Sequence, residues 1–174
     1  SQFAINNNLV AAINGDYPRF GLHMNDGKIL SYSFDRADRN FLGCDQENKC
    51  FVTKNNSIDL PEPGLEVAIG GWQSLSSGRF SCSTKTEKRC TDKYAKQKHP
   101  RTAIGLDKIK GKLYFIVVEG RLPEFPGMTL DELSDLFKKL EIPEGLNLDG
   151  GGSSTMIYKG ARVNRLPLYQ YSER

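Results

Sequence analysis

The stretch Leu146-Asn147-Leu148-Asp149-Gly150-Gly151-Gly152-Ser153-Ser154-Thr155-Met156-Ile157-Tyr158 sets three consecutive glycines between two apolar runs. Glycine loses more backbone freedom on folding than any other residue, so three together are costly inside ordered structure. Their position between strand-like segments, rather than in a polar linker, predicts a sharp turn whose bare main chain approaches a ligand, as in anion-binding nests. Leu146-Asn147-Leu148 reads as a short strand that delivers Asp149 to its end. Thr155–Tyr158 and Gly160–Val163 read as a closing hairpin.

Upstream of this turn lies the one clear helix. Thr129 and Glu132 have capping-box spacing, and Leu130, Leu133, Leu136, Phe137 and Leu140 recur on one helical face. Glu141-Ile142-Pro143 stops it. Before the helix, Arg101–Leu106 and Lys112–Glu119 flank a turn at Lys110-Gly111. The second run is apolar on both alternations from Tyr114 to Val118, which predicts a central strand. Farther out, Leu9–Ile13 and Leu65–Ile69 read as strands ending in breaker clusters, Asn14-Gly15-Asp16-Tyr17-Pro18 and Gly70-Gly71-Trp72. Residues 20–34 read as a hairpin turning at Asn25–Lys28. Residues 35–60 are polar, with one strand at Phe51–Thr53. Gln73–Pro100 shows no periodicity and reads as a long loop, a feature usually functional or disordered.

The 174 residues fit one domain, and 38% apolar with 26% charged residues describes a globular chain. The expected class is α+β: a single domain over residues 1–174 with a mixed sheet and few flanking helices. No apolar run approaches the roughly 20 residues of a membrane span. Ser1–Asn6 lack the basic head and apolar middle of a signal peptide. The net charge of +3 is too mild to predict nucleic-acid binding. Arg79, Lys85, Lys88, Arg89, Lys93, Lys96, Lys98 and Arg101 nevertheless outnumber Glu87 and Asp92 in one stretch. Such a cluster either draws an anionic substrate or is a solvated basic loop.

Cys44/Cys50 and Cys82/Cys90 form two local pairs in polar, turn-rich surroundings. Two short-range disulfides are the expectation, and with them an oxidising, extracytoplasmic location: secreted, periplasmic or lysosomal. Sequence leaves the pairing open among three possibilities. Zinc is the competitor, but His23 and His99 do not lie at finger-like spacing from the cysteines. Asn55-Asn56-Ser57 is a formal glycosylation triplet.

Four strand ends carry polar groups suited to chemistry: Asn14-Gly15-Asp16, Arg101-Thr102, Glu119-Gly120-Arg121 and Asp149 with its glycines. Ala12–Tyr17, Pro100–Gly105, Glu119–Arg121, Gly127–Leu133 and Asn147–Thr155 occur in an order that resembles the phosphodiester glycosidase family. The resemblance covers most of the chain, and Asp149–Thr155 is its most specific marker. It implies hydrolysis of a sugar 1-phosphodiester at the anomeric carbon, in a cleft lined by these motifs. Pro18 stands where the family usually has an aromatic residue. The cysteine-bearing inserts are not shared, and Asn164-Arg165-Leu166-Pro167 follows the family ending loosely. Both termini look short, as if edge strands were missing or supplied by a partner chain.

On that resemblance, Asp149 is the first choice for the carboxylate that attacks the sugar or activates water, with Asp16 and Glu119 as rivals. Arg101 and Arg121 suit the phosphate oxygens, because guanidinium groups bind them in bidentate fashion. Amides from Gly150 to Gly152 would meet developing negative charge. Asn14, Gly15, Thr102, Ser153 and Thr155 line the sugar side, and His99 is a proton carrier or a structural histidine. No cofactor is required, although Asp16 or Asp149 could hold a single Ca or Mg ion. Two other readings remain: a glycan-binding module without catalysis, and a phosphodiesterase or nuclease cutting the P–O bond.

Overall fold

The computed structural model describes residues 6–16, 21–32, 40–53, 64–76, 78–81 and 93–167. Cys82, Cys90, Tyr17, Pro18, the Asn55 triplet and most of the basic stretch lie outside the described residues. In chain order the strands are β1 (Ala11–Ile13), β2 (His23–Asn25), β3 (Lys28–Ser31), β4 (Phe41–Asp45), β5 (Cys50–Val52), β6 (Leu65–Gly70), β7 (Ser74–Ser76) and β8 (Arg79–Ser81). A short helix α1 (Lys93–Lys96) precedes β9 (Arg101–Asp107) and β10 (Lys112–Val118). Helix α2 (Leu130–Lys139), β11 (Glu144–Asn147), a 3₁₀ turn (Gly151–Ser153), β12 (Met156–Tyr158) and β13 (Ala161–Arg162) complete it.

The fold is largely β. Instead of one mixed sheet there are three, ordered β10-β9-β11-β7-β8, β3-β2-β6-β4-β5 and β1-β12-β13. Every strand pairing among the described residues is antiparallel. The two five-stranded sheets face each other through Leu42, Cys44 and Val52 on one side and Ile104, Leu106, Leu146 and Leu148 on the other. Helix α2 covers the far face of the β9 sheet, burying Leu130, Leu133 and Phe137 against Leu75, Ala103 and Ile142. A third cluster, Leu22, Met24, Phe41, Leu65 and Ala68, lies within the β6 sheet. Removing a fully buried ring such as Phe137 costs about 3–5 kcal/mol in comparable cores.

The helix follows its sequence signals at both ends. Glu132 N donates to Thr129 Oγ1 at 3.1 Å, and Thr129 N donates to Glu132 Oε2 at 2.8 Å, closing the capping box. At the other end Glu141 takes a left-handed φ of 55°. Ile142 N then reaches Phe137 O at 2.9 Å and Glu141 N reaches Lys138 O at 3.1 Å. That pair of bonds is the Schellman arrangement, and it turns Ile142 into the core.

Three expectations need correction. The strand buried along its whole length is β9, which lies between β10 and the middle strand β11, whereas β10 is the sheet's edge. Apolarity on both faces of a strand reports layers above and below it, and says nothing about strands at its sides. On β10, Tyr114, Ile116 and Val118 pack toward α2, while Leu113 and Phe115 are exposed. The supposed loop from Gln73 contains β7, β8 and α1, anchored by Leu75 and Ala95. The polar 35–60 region hides β4, which pairs with both β5 and β6. Cys44 and Cys50 face each other in that pairing and form the expected disulfide. No helix among the described residues is long and apolar enough to cross a membrane.

Candidate functional site

Antiparallel register alone gathers most of the predicted residues at one sheet end. Val118, the last residue of β10, pairs with Arg101, the first of β9, and Asn147 pairs with Ala103. The ladder continues when Leu148 N donates to Thr102 O at 2.9 Å and Gly151 N donates to Pro100 O at 2.9 Å. The triple-glycine bend therefore passes directly over Pro100-Arg101. Gly151 has φ +63°, and a Cβ there would lie 3.3 Å from Arg121 Nη2, so a guanidinium rests on the bare bend.

Asn14 ties the first strand to this end. Its Oδ1 accepts from Thr102 Oγ1 at 2.7 Å and from Thr155 N at 3.0 Å. Its Nδ2 donates to Asp149 O at 2.7 Å and to Gly15 O at 3.1 Å. All four hydrogen-bonding positions of this amide are thus internal, spanning four segments. Thr102, wholly buried, spends its hydroxyl on Asn14. Asp16 sits nearby and accepts from Trp72 Nε1 at 2.8 Å.

Arg101 is 2% exposed, yet no ion pair to it forms among the described residues. Its Nε donates to Met128 O at 2.9 Å, and Nη2 donates to Tyr94 O at 2.7 Å and Gln97 O at 3.1 Å. Nη1 takes no partner among the described residues. Burial, with the Arg121 charge adding to it, lowers the guanidinium pKa to about 10 despite the opposing influence of Tyr94. A charge disfavoured by desolvation is one that a bound anion would stabilise. Arg121, held at a left-handed φ of 55°, donates from Nη2 to His99 Nδ1 at 3.3 Å. A guanidinium only donates, so neutral His99 carries its proton on Nε2, which is buried without a partner among the described residues. Burial first, then Arg101 and Arg121, hold the His99 pKa below its ordinary value. The His99 ring lies against Tyr94, with centroids 5.1 Å apart.

Arg101, Asp149 and Gly150 line one small cavity of about 20 Å³ together with Trp72, Gln73, Tyr94, Asn147 and Leu148. The Asp149 carboxylate has no partner among the described residues. Glu119 is engaged elsewhere: its oxygens accept from Arg165 N at 2.6 Å and Arg165 Nε at 2.9 Å. Those bonds, the backbone one foremost, hold the Glu119 carboxyl below the usual range. Of the bend's amides, Gly151 is spent on Pro100, while those of Gly150 and Gly152 have no partner among the described residues. Ser153 is exposed on the bend, and Thr155 borders it through its amide bond to Asn14. No group of three His, Cys, Asp or Glu residues suited to a metal occurs among the described residues. Sequence reading overlooked Trp72, Gln73 and Tyr94 as lining residues. Gly70-Gly71-Trp72 at a strand end was the available signal for the first two; Tyr94 offered none.

All of the chain, residues 1–174, matches the family described as phosphodiester glycosidase. It is 34% identical over 118 residues to the human N-acetylglucosamine-1-phosphodiester alpha-N-acetylglucosaminidase, covering 63% of this chain and 22% of that protein. It is 38% identical over 154 residues to the SPbeta prophage-derived uncharacterized protein YomE of Bacillus subtilis (strain 168), covering 84% of this chain and 23% of that one. The catalytic domain of the zebrafish N-acetylglucosamine-1-phosphodiester alpha-N-acetylglucosaminidase, auto-inhibited by pro-peptide, matches with a TM-score of 0.71 at 23% identity, over 90% of this chain and 56% of that one. A hypothetical protein from Synechocystis matches with a TM-score of 0.63 at 14% identity, over 95% of this chain and 50% of that one. At those identities the structural likeness speaks for the fold. The matched part is 22–28% of the length of the curated relatives.

Proposed function

The chain belongs to the phosphodiester glycosidase family, and on that premise we propose that it hydrolyses a sugar 1-phosphodiester at the anomeric carbon. The observation that carries the reading is a buried Arg101 sharing a cavity with Asp149, neither of them ion-paired among the described residues. A site offering a desolvated cation and a free carboxylate suits a substrate that is anionic on one side of the scissile bond and electrophilic on the other.

Arg101 and Arg121 take the phosphate oxygens, and the free amides of Gly150 and Gly152 add donors where negative charge grows. A phosphodiester is a weakly basic leaving group, so it departs without the carboxylic acid that most glycosidases require. The bond between the anomeric carbon and the phosphate oxygen breaks with its electron pair going to that oxygen. Asp149 supplies the carboxylate, either attacking the sugar directly or taking the proton from the attacking water. In either case water finally contributes the oxygen at the anomeric carbon. Ser153 and Thr155 offer hydroxyls to the sugar, and Asn14 and Thr102 hold the bend in place. An oxidising, extracytoplasmic location belongs to the same reading, supported by the Cys44–Cys50 disulfide.

Hydrolysis of a synthetic sugar 1-phosphodiester in ¹⁸O-labelled water tests this. The label is expected in the released sugar. Label in the phosphate would mean P–O cleavage, and binding without release of sugar would mean a glycan-binding module.

A further inference from the structure

Beside Asp149 the cavity holds a buried acceptor that this chemistry leaves unused. Asn147 is 5% exposed, and its Oδ1 has no hydrogen-bond partner among the described residues. Its Nδ2 donates to Gln73 Oε1 at 2.8 Å, and Gln73 is itself 3% exposed. The main chain is held as firmly: Asn147 N donates to Gln73 O at 2.8 Å and Trp72 N donates to Asn147 O at 2.9 Å. The amide is therefore fixed in place with one face of its hydrogen-bonding capacity unspent. Buried acceptors are seldom left so, because an unmet one is disfavoured, and each exception calls for a cause such as an ordered water or a ligand's donor.

Strand geometry says what that donor belongs to. Asn147 ends β11, and the Leu148 N bond to Thr102 O carries the ladder one residue further, so the strand alternation puts Asn147 and Asp149 on the same face. Leu148 between them points the other way, into the core between the sheets. Both polar residues line the cavity. Two residues of strand span about 6.6 Å, a distance that a ring carbon, its substituent and a hydrogen bond together bridge. The cavity volume of about 20 Å³ admits the tip of one substituent and no ring.

We infer that Asn147 Oδ1 accepts a hydrogen bond from the O–H or N–H on the sugar carbon next to the anomeric centre, and so sets which sugars the site takes. The inference rests on the sugar-phosphodiester reading above. It makes Asn147 a specificity determinant distinct from the phosphate-binding arginines and from Asp149.

Calorimetric binding of sugar 1-phosphates to the full chain tests it, using probes with a 2-hydroxyl, a 2-acetamido group or only hydrogen at that carbon. The 2-deoxy probe is expected to bind about 10-fold more weakly or worse, the loss of one buried hydrogen bond. The tighter of the other two identifies the donor as O–H or N–H. Asn147→Leu should erase the difference. If that variant fails to fold, the wild-type comparison decides alone. Equal wild-type affinity for all three probes overturns the inference while leaving the hydrolase reading intact. No binding of any probe overturns both.

Discussion

The two ends of the β9 sheet treat charge in opposite ways. At the β9–β10 turn, Asp107 Oδ1 accepts from Ile109 N at 3.1 Å and Lys110 N at 3.0 Å, and its other oxygen pairs with Lys110 Nζ at 3.4 Å. Lys108 Nζ pairs with Glu144 Oε1 at 2.7 Å beside it. At the other end, Arg101, Arg121 and Asp149 converge, and none forms an ion pair among the described residues. The same strands thus end in completed charge pairs on one side, while on the other Glu119 is paired with Arg165 and Arg101, Arg121 and Asp149 are not paired among the described residues. A charged strand end is common and means little by itself. What separates a turn from a binding site is whether the chain supplies the counter-charge or leaves it to a ligand.

The sharpest way to break this contrast is to neutralise the unpaired carboxylate. Asp149→Asn should lower kcat by about 10²-fold or more while circular dichroism and melting show an intact fold. Glu119→Gln is the matched control: also a strand-end carboxylate, but already spent on Arg165. Its turnover should change little. Equal losses in the two variants would erase the distinction between paired and open carboxylates at this end. Arg101→Ala comes next in size. It should cut turnover of phosphodiester substrates far more than that of neutral aryl glycosides, since phosphate is what the cation meets. It also orphans the carbonyls of Tyr94, Gln97 and Met128, at about 1 kcal/mol each where they are buried. Melting must therefore be followed alongside. Equal loss on both substrate types, with the fold kept, would remove phosphate recognition from Arg101.

The paired end should respond in stability alone. Hydrogen bonding from Lys110 N, foremost, holds the Asp107 carboxyl below the ordinary range. A depressed carboxyl pKa stabilises the fold above its unfolded value, near pH 4, and that contribution fades as pH falls through the lower folded value. Asp107→Asn should lower Tm at neutral pH and flatten its fall between about pH 5 and pH 2, with turnover unchanged. A large loss of turnover would mean that the two ends are not independent.

How far this was legible in sequence depends on how local the cause is. The α2 caps are set by residues within one turn, so Thr129, Glu132 and the Leu130–Leu140 face announced them. The Asp26-Gly27 hairpin and the disulfide across Cys44 and Cys50 were equally local. Strand β4 was hidden because its partner β6 lies 20 or more residues on, and Gly43 interrupts its apolar pattern. The swap of β9 and β10 has a similar cause, since neighbours within a sheet leave no mark on hydropathy. At the site, the family resemblance carried by the triple glycine and the order of the polar strand ends implied a cleft shared by Asn14, Arg101 and Asp149. Which hydrogen bonds each would spend internally was not legible. Asn14 and Glu119 look like free polar groups in sequence and are engaged in the fold, whereas Asn147, read as part of the short strand that opens the Asn147–Thr155 block, keeps an acceptor without a partner among the described residues.

The smallest effect concerns His99, where the open end should reveal itself without any substitution. Burial first, then the two cations, favours the neutral ring, so its protonated form is more costly in the fold than in the unfolded chain. Stability tied to His99 is therefore present above its ordinary value of 6.5 and is lost as pH falls toward the lower folded value. Protonation at Nδ1 would also break the bond from Arg121. In an NMR titration of the free chain, the His99 ring should titrate below the ordinary imidazole value of 6.5. Adding inorganic phosphate or a sugar 1-phosphate should then move the His99 midpoint upward, because an anion between Arg101 and Arg121 screens the charges that had depressed it. A midpoint that ignores the anion would place the bound phosphate away from these arginines, and the open end of the sheet would need another explanation.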